Sequence, residues 1–439
     1  MPVFDIIIGR DEEERKKWGM AGLVFIGKQY VKMGPVTSLA NNIWLDVAKS
    51  HVYFVVGKRG SGKSYSLGVI AEGVADMPPE IKDNIAIIIL DTMGIYWTMK
   101  YPNLADAELL HEWDLKPKGL DIKIFTPKGL FEEYRAKGIP CDVPVSIRPA
   151  DVDPDDWLAT FGIGRNTEEG VLIDRALAKL RESKNSWSIQ DIIDIVQADK
   201  RAEQRVKDIV ENRFLAAEGW GLFDEKGTEM RELAAGGQVS VLDLSAYATA
   251  PGGWAIKALA LGLVAKKLFI DRMAARRFEE YAAVREAVHY FAEEVAPKLE
   301  LPMVWLVIDE AHEFLPLESS TVATAPLITI LREGRQPGLS LILASQQPGK
   351  IHTDVMTQSD AVLAHRITAK IDVDALGALM HTYMRESLPQ QLDALPAAKG
   401  AAIIFDDINE RMFPMKVRPR FSWHGGGAPV AMRAAKKIF

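Results

Sequence analysis

The chain has 439 residues, a formal net charge of −7, and 48% hydrophobic against 26% charged residues. That balance excludes a disordered polymer and a protein that coats nucleic acid with its whole surface, but leaves room for a local basic stripe or a positive pore. A single cysteine, Cys141, excludes an intrachain disulfide, and the longest apolar run in a helical setting, Ala258–Ala265, is far short of the roughly 20 residues of a bilayer span. The expectation is a cytoplasmic protein with no membrane partner.

In chain order, Val24–Val31 and Ile43–Val47 read as short strands around a turn at Gly34–Pro35, a small β module within residues 1–48. His51–Val56 is a β-branched and aromatic run that ends in glycine, the pattern of a buried strand, and Lys63–Ala75 follows with helical spacing. Ile85–Leu90 is almost continuously apolar, as expected of a parallel strand covered on both faces, and Ile122–Phe125 is a further strand closed by Thr126-Pro127. The chain then becomes rich in Ala, Leu, Glu, Lys and Arg, with Pro154 at a helix start, which predicts a mostly helical insertion over 136–235. Strand character returns in Val239–Leu242, Val304–Ile308, Leu339–Leu343, Val362–Ile367 and Ala401–Phe405, with a long helical stretch Trp254–Leu299 after the first of them. Strands alternating with helices predict an α/β fold, a parallel sheet flanked by helices, built from 49–135 and 236–439 around the insertion.

Gly57-Lys58-Arg59-Gly60-Ser61-Gly62-Lys63-Ser64 fits G-x-x-x-x-G-K-[ST] at every required position, between an apolar strand and a helix. Glycines let the backbone wrap phosphate oxygens, with N–H groups pointing inward at a helix N-terminus. Gly57, Gly60, Ser61, Gly62, Lys63, Ser64 and Tyr65 are the candidate nucleotide contacts. Lys63 is placed for the β- and γ-phosphates and the Ser64 hydroxyl for Mg²⁺, so ATP and Mg²⁺ are the expected cofactors.

Val304–Ile308 ends in Asp309-Glu310, and two carboxylates at the tip of a buried strand are costly without a task. Asp309 fits a residue that holds Mg²⁺ through water, and Glu310 one that orients and polarises the attacking water. A pair that merely caps the next helix is the alternative. Gln346, at the end of Leu339–Ala344, fits a sensor of the γ-phosphate. A strand inserted between the phosphate-loop strand and the acid-bearing strand is the expected sheet order for such a site. Arg332 and Arg335, three residues apart near a helix end, share a face. Either an arginine reaching a neighbouring subunit's γ-phosphate or a solvated helix end accounts for them.

Several segments together resemble the HerA-type bipolar DNA translocases of the HerA/FtsK superfamily. They are Ala311-His312-Glu313-Phe314, Leu331-Arg332-Glu333-Gly334-Arg335-Gln336-Pro337-Gly338, Leu343-Ala344-Ser345-Gln346-Gln347-Pro348 and the tail Val417–Gly426. The resemblance covers about Trp44 to Gly426. It implies a RecA-like P-loop NTPase core, a helical insertion, a homo-hexameric ring that threads double-stranded DNA with little sequence preference, and ATP hydrolysed at subunit interfaces. It also implies work with a NurA-type or other nuclease in end processing, repair or defence. Two departures stand out: the segment before His51 is shorter than the family's N-terminal barrel, and Ile95 stands near where the family often carries an acid. Lys266, Lys267, Arg272, Arg276 and Arg277, and separately Lys200, Arg201 and Arg205, are basic clusters that either face DNA or are ordinary exposed helix. Alternatives to the translocase are a conjugative coupling or DNA-packaging ATPase, or a nucleotide-dependent ring scaffold that regulates a nuclease.

Overall fold

The computed structural model describes residues 4–33, 36–288, 301–379 and 388–427. The expected turn at Gly34–Pro35 and the end of the Trp254–Leu299 stretch lie outside them.

The strands are β1 (Ile6–Ile8), β2 (Leu23–Met33), β3 (Val36–Asp46), β4 (Val52–Val56), β5 (Ile85–Asp91), β6 (Ile122–Pro127), β7 (Val143–Val145), β8 (Val239–Asp243), β9 (Met303–Ile308), β10 (Leu339–Ser345), β11 (Ala361–His365), β12 (Ala401–Asp406) and β13 (Arg411–Val417). They form one sheet in the order β1-β3-β2-β13-β12-β11-β4-β10-β9-β5-β8-β6-β7. From β11 to β7 the pairing is parallel; β12 turns the sheet antiparallel, and β13 then pairs with β2. The first 48 residues hold more than the sequence suggested. A β1 strand and a helix Glu12–Trp18 precede β2, and β3 starts well before Ile43. Six of the seven residues of the helix are charged and none is buried, so apolar periodicity could not reveal it.

The two sheet faces are read from alternate residues. Phe54, Ile88, Leu306 and Leu341 pack under the long helix Gly253–Val288 and the helix Thr324–Glu333, through Leu261, Leu268, Leu327 and Ile330. Val55, Ile87, Val307 and Ile342 pack under the helix Lys63–Ala75 through Leu67, Ile70 and Val74. Both faces of β4, β5, β9 and β10 are therefore dry, which is why those segments are almost unbroken apolar runs.

The insertion consists of helices Pro154–Phe161, Glu168–Ser183, Ile189–Gln197 and Gln204–Glu218. They close on their own core of Trp157, Phe161, Ile192, Val210 and Phe214, to which Leu259 and Leu263 of the long helix contribute. Ser188 starts one of them with a reciprocal cap: its hydroxyl accepts from Asp191 N–H at 3.1 Å, while Asp191 accepts from Ser188 N–H at 2.8 Å.

Candidate nucleotide site

The phosphate loop leaves the carboxyl end of β4 and enters the helix Lys63–Ala75. Its glycines are conformationally required. Gly60 and Gly62 have φ of 73° and 114°, in the left-handed region. A Cβ on Gly57 would stand 2.3 Å from Ser61 Oγ and 2.7 Å from His365 Cβ. The loop is pinned from both neighbours of β4: Gly57 N–H donates to the Ser345 carbonyl at 3.3 Å, and Lys58 N–H to the Arg366 carbonyl at 3.2 Å.

β10 lies between β4 and β9, so the tips carrying Lys63, Gln346 and the two acids stand side by side. Ser64 Oγ donates to Asp309 Oδ2 at 2.5 Å. Glu310 sits in the left-handed region, with φ 53° and ψ 43°, a conformation that costs a side-chain-bearing residue on the order of 1 kcal/mol. The turn throws its carboxylate back toward β10, where Oε1 accepts from the Gln346 amide. Oε2 is buried without a hydrogen-bond partner, 3.6 Å from His312 Nδ1. Burial pushes the Glu310 pKa up, aided by Asp309 and opposed by the Gln346 hydrogen bond and Lys63. Burial likewise lowers the Lys63 ammonium, which has Asp309 and Glu310 as opposing charges and only a 3.5 Å contact to the Lys58 carbonyl.

These features fit ATP and Mg²⁺. Lys63 is buried, Oε2 of Glu310 and the Ser61 hydroxyl are buried without a hydrogen-bond partner among the described residues, and a Cβ at Gly57 would crowd Ser61 Oγ. Ser64 and Asp309 form the hydroxyl–carboxylate pair that would hold Mg²⁺.

Residues 36–250 match the family model described as the central domain of the helicase HerA. The chain is 29% identical over 119 residues to a probable DNA double-strand break repair helicase HerA of Methanocaldococcus jannaschii, covering 26% of this chain and 24% of that protein. It is 22% identical over 420 residues to the DNA double-strand break repair helicase HerA of Pyrococcus furiosus, covering 86% of this chain and 67% of that protein. These similarities support a HerA-type ATPase. The matched stretch is thus about a quarter of the first relative and about two thirds of the second. In fold it is similar to VirB4 of Thermoanaerobacter pseudethanolicus, with a TM-score of 0.53 at 12% identity over 91% of this chain and 97% of that one.

Three features of this site escaped sequence reasoning. Tyr96 sends its hydroxyl to Asp309 Oδ2 at 3.5 Å from the far side of β9. His365, fully buried on β11, forms a floor under the phosphate loop, with Nε2 2.9 Å from Ser66 Oγ. Burial drives its pKa down to about 4, so the ring is neutral. A histidine at the end of an apolar strand was the available signal. The third is Glu72, buried on the phosphate-loop helix, which accepts from Arg418 at 3.0 Å, Arg420 at 2.9 Å, the N–H groups of Phe421 and Ser422 at 3.2 and 3.1 Å, and Ser422 Oγ at 2.5 Å. This carboxylate locks the family-like tail onto the helix. Tyr65 joins it: its hydroxyl accepts from Arg420 N–H at 2.6 Å, and its ring meets His424 edge-on.

The structure does not bring the two arginines to this site. Arg332 pairs with Asp354 at 2.6 Å and Arg335 with Asp360 at 3.0 Å, both exposed, at the amino-terminal edge of β4 and β10. The five residues of β4 separate that edge from the phosphate loop, about 16 Å of strand. The first basic cluster is also largely spent. Arg272 is buried and donates to the Pro337 carbonyl at 2.7 Å, so it cannot face a pore. Lys266 pairs with Asp153 and Asp156, Lys267 with Asp151, and Arg276 with Glu279 and Glu280. Among the described residues Lys200, Arg201 and Arg205 have no ion pair. No helix among the described residues is long and apolar enough to cross a membrane.

Proposed function

We propose that this chain is an ATP-driven translocase of double-stranded DNA that works as a homo-hexameric ring. The observation that carries the reading is the junction of Ser64, Asp309, Glu310 and Gln346 on adjacent strand tips beside the phosphate loop. In it Lys63 is placed to bind the β- and γ-phosphates, Ser64 and Asp309 would hold Mg²⁺, and Glu310 is placed to take a proton from the attacking water. Gln346 holds Glu310 in place and senses the γ-phosphate. The ion, when bound, supplies charge neutralisation on the phosphates.

A single chain keeps Arg332 and Arg335 at the wrong edge of its own sheet, so the arginine acts in trans, on the nucleotide of the next subunit, with Arg335 in the leading role. A head-to-tail interface of this kind closes into a ring when the rotation per subunit is right. Lys200, Arg201 and Arg205 of the insertion, exposed and without an ion pair among the described residues, are cations that would meet phosphates without base specificity. Two relatives are named DNA double-strand break repair helicases, which supports a role in such repair, and a nuclease partner of the NurA type fits that setting.

The test is direct. Purified chain should run as a hexamer, and its ATPase should rise several-fold with double-stranded DNA and fall back as salt is raised. A monomer with full, DNA-independent turnover would defeat the reading.

A further inference from the structure

A second constellation of charge lies at the opposite edge of the sheet from the phosphate loop. Five groups alternate in sign: Arg335, Asp360, His51, Asp46 and Arg10. Arg335 Nη2 donates to Asp360 Oδ1 at 3.0 Å. Asp360 Oδ2 lies 3.2 Å from His51 Nδ1 and accepts the Val52 N–H at 2.9 Å. His51 Nε2 lies 3.4 Å from Asp46 Oδ2, and Asp46 Oδ1 accepts from Arg10 Nη2 at 2.7 Å. Arg10 ends the line by donating to the carbonyls of Gly19 and Ala21, each at 2.9 Å.

The side chains of His51, Asp46 and Arg10 are 0% exposed, whereas that of Arg335 is 69% exposed. With a carboxylate oxygen at each ring nitrogen, His51 satisfies both only as an imidazolium that donates twice. Burial opposes that charge, but the hydrogen bonds to Asp360 and Asp46 outweigh it and hold the His51 pKa above its ordinary value.

The two ends of this line differ in kind. Asp360 directly precedes β11 and exchanges hydrogen bonds with Val52 in both directions, so its carboxylate is fixed to the sheet. Arg335 follows the helix Thr324–Glu333 on a long side chain in a polar cavity of about 210 Å³ that it shares with Ser50, Arg332 and Asp360. A free arginine samples many rotamers; one bond from Nη2 to a fixed carboxylate narrows them and leaves Nη1 and Nε turned to other acceptors.

We propose that Asp360, itself held by buried His51, is the positioning residue for Arg335, and that Asp46 and Arg10 make the N-terminal strands part of that support. This rests on the reading of Arg335 as acting on the neighbouring subunit's nucleotide. On that reading the N-terminal residues set the aim of an arginine used at an interface, and loss of the support is felt in the next subunit rather than in the subunit that carries the change.

The experiment uses full-length rings. Asp360→Asn keeps the shape and an acceptor for Val52 N–H but removes the charge that holds Arg335. Its kcat should fall about tenfold, with KM for ATP unchanged within about twofold. Mixed with Lys63→Ala subunits, Asp360→Asn rings should regain activity, because an intact Lys63 then meets an Arg335 borne by an intact Asp360. A local structural defect would stay with its own subunit and show no such recovery. In an Arg335→Ala background, Asp360→Asn should cost nothing further. If Asp360→Asn rings do not assemble, His51→Gln, which leaves Asp360 in place and removes the cation behind it, should show the same recovery on mixing from a loss of about threefold. Wild-type kcat in Asp360→Asn, an additive loss in the Arg335→Ala background, or a defect that mixing leaves intact while that of Arg335→Ala is relieved, overturns the proposal. Wild-type turnover in Arg335→Ala rings instead overturns the trans reading beneath it.

Discussion

The Gln346 side-chain amide donates to Oε1 of Glu310, which joins the tips of two neighbouring strands, β10 and β9, beside the phosphate loop. Glu310 pays for its left-handed backbone with about 1 kcal/mol, and this contact is what fixes the carboxylate once it is there. Gln346→Ala should therefore lower kcat by about ten- to a hundredfold while ATP affinity changes little. Steady-state kinetics with a nucleotide-binding titration separates the two, and an unchanged kcat would make the contact incidental.

Glu310→Gln keeps the shape of the side chain and removes the proton acceptor. Hydrolysis should slow by at least ~10²-fold with ATP still bound. Lys63→Ala should instead lose binding itself, because no other cation among the candidate contacts is half-buried beside the acids. Equilibrium binding of a fluorescent ATP analogue checks both, and the reverse pattern would exchange the assigned roles.

Glu72 is 0% exposed and receives five hydrogen bonds, two of them from arginines. Glu72→Ala leaves Arg418 and Arg420 buried without their counter-charge, so the folded state should lose roughly 3–5 kcal/mol. Urea denaturation measures it. A loss under about 1 kcal/mol would show that the tail is held by its apolar contacts alone.

His365 makes stability fall in acid. Its folded pKa, about 4, lies below the ordinary histidine value of about 6.5, so the unfolded chain takes up a proton that the native state refuses. The stabilisation is complete above pH ~6.5 and is lost as pH falls toward ~4, roughly 3 kcal/mol for a shift of this size. His424, also lowered to about 4 by burial, titrates in the same window. His365→Asn should make the fall of unfolding free energy between pH ~6.5 and ~4 shallower than in the unsubstituted chain. An unchanged slope would show that the buried ring is not the source.

The sequence by itself determined the elements whose signal is local. Gly57–Ser64 needed only its spacing, because the glycines answer to their own backbone. β4, β5, β9 and β10 needed only composition, because a strand dry on both faces must be apolar throughout. The positions of Asp309, Glu310 and Gln346 followed from where those strands end, and the helices that begin at Pro154 from their spacing. Tertiary structure decided what depends on partners far away in the chain. It sets the family-like tail on Glu72 across 346 positions of sequence. It buries Arg272, which charge counting had placed among exposed cations. It also places Arg335 at the far edge of the sheet, against Asp360 and His51. A carboxylate's partner is chosen by strand order and by the distance at which burial makes an unpaired charge intolerable, and neither quantity is written in local sequence.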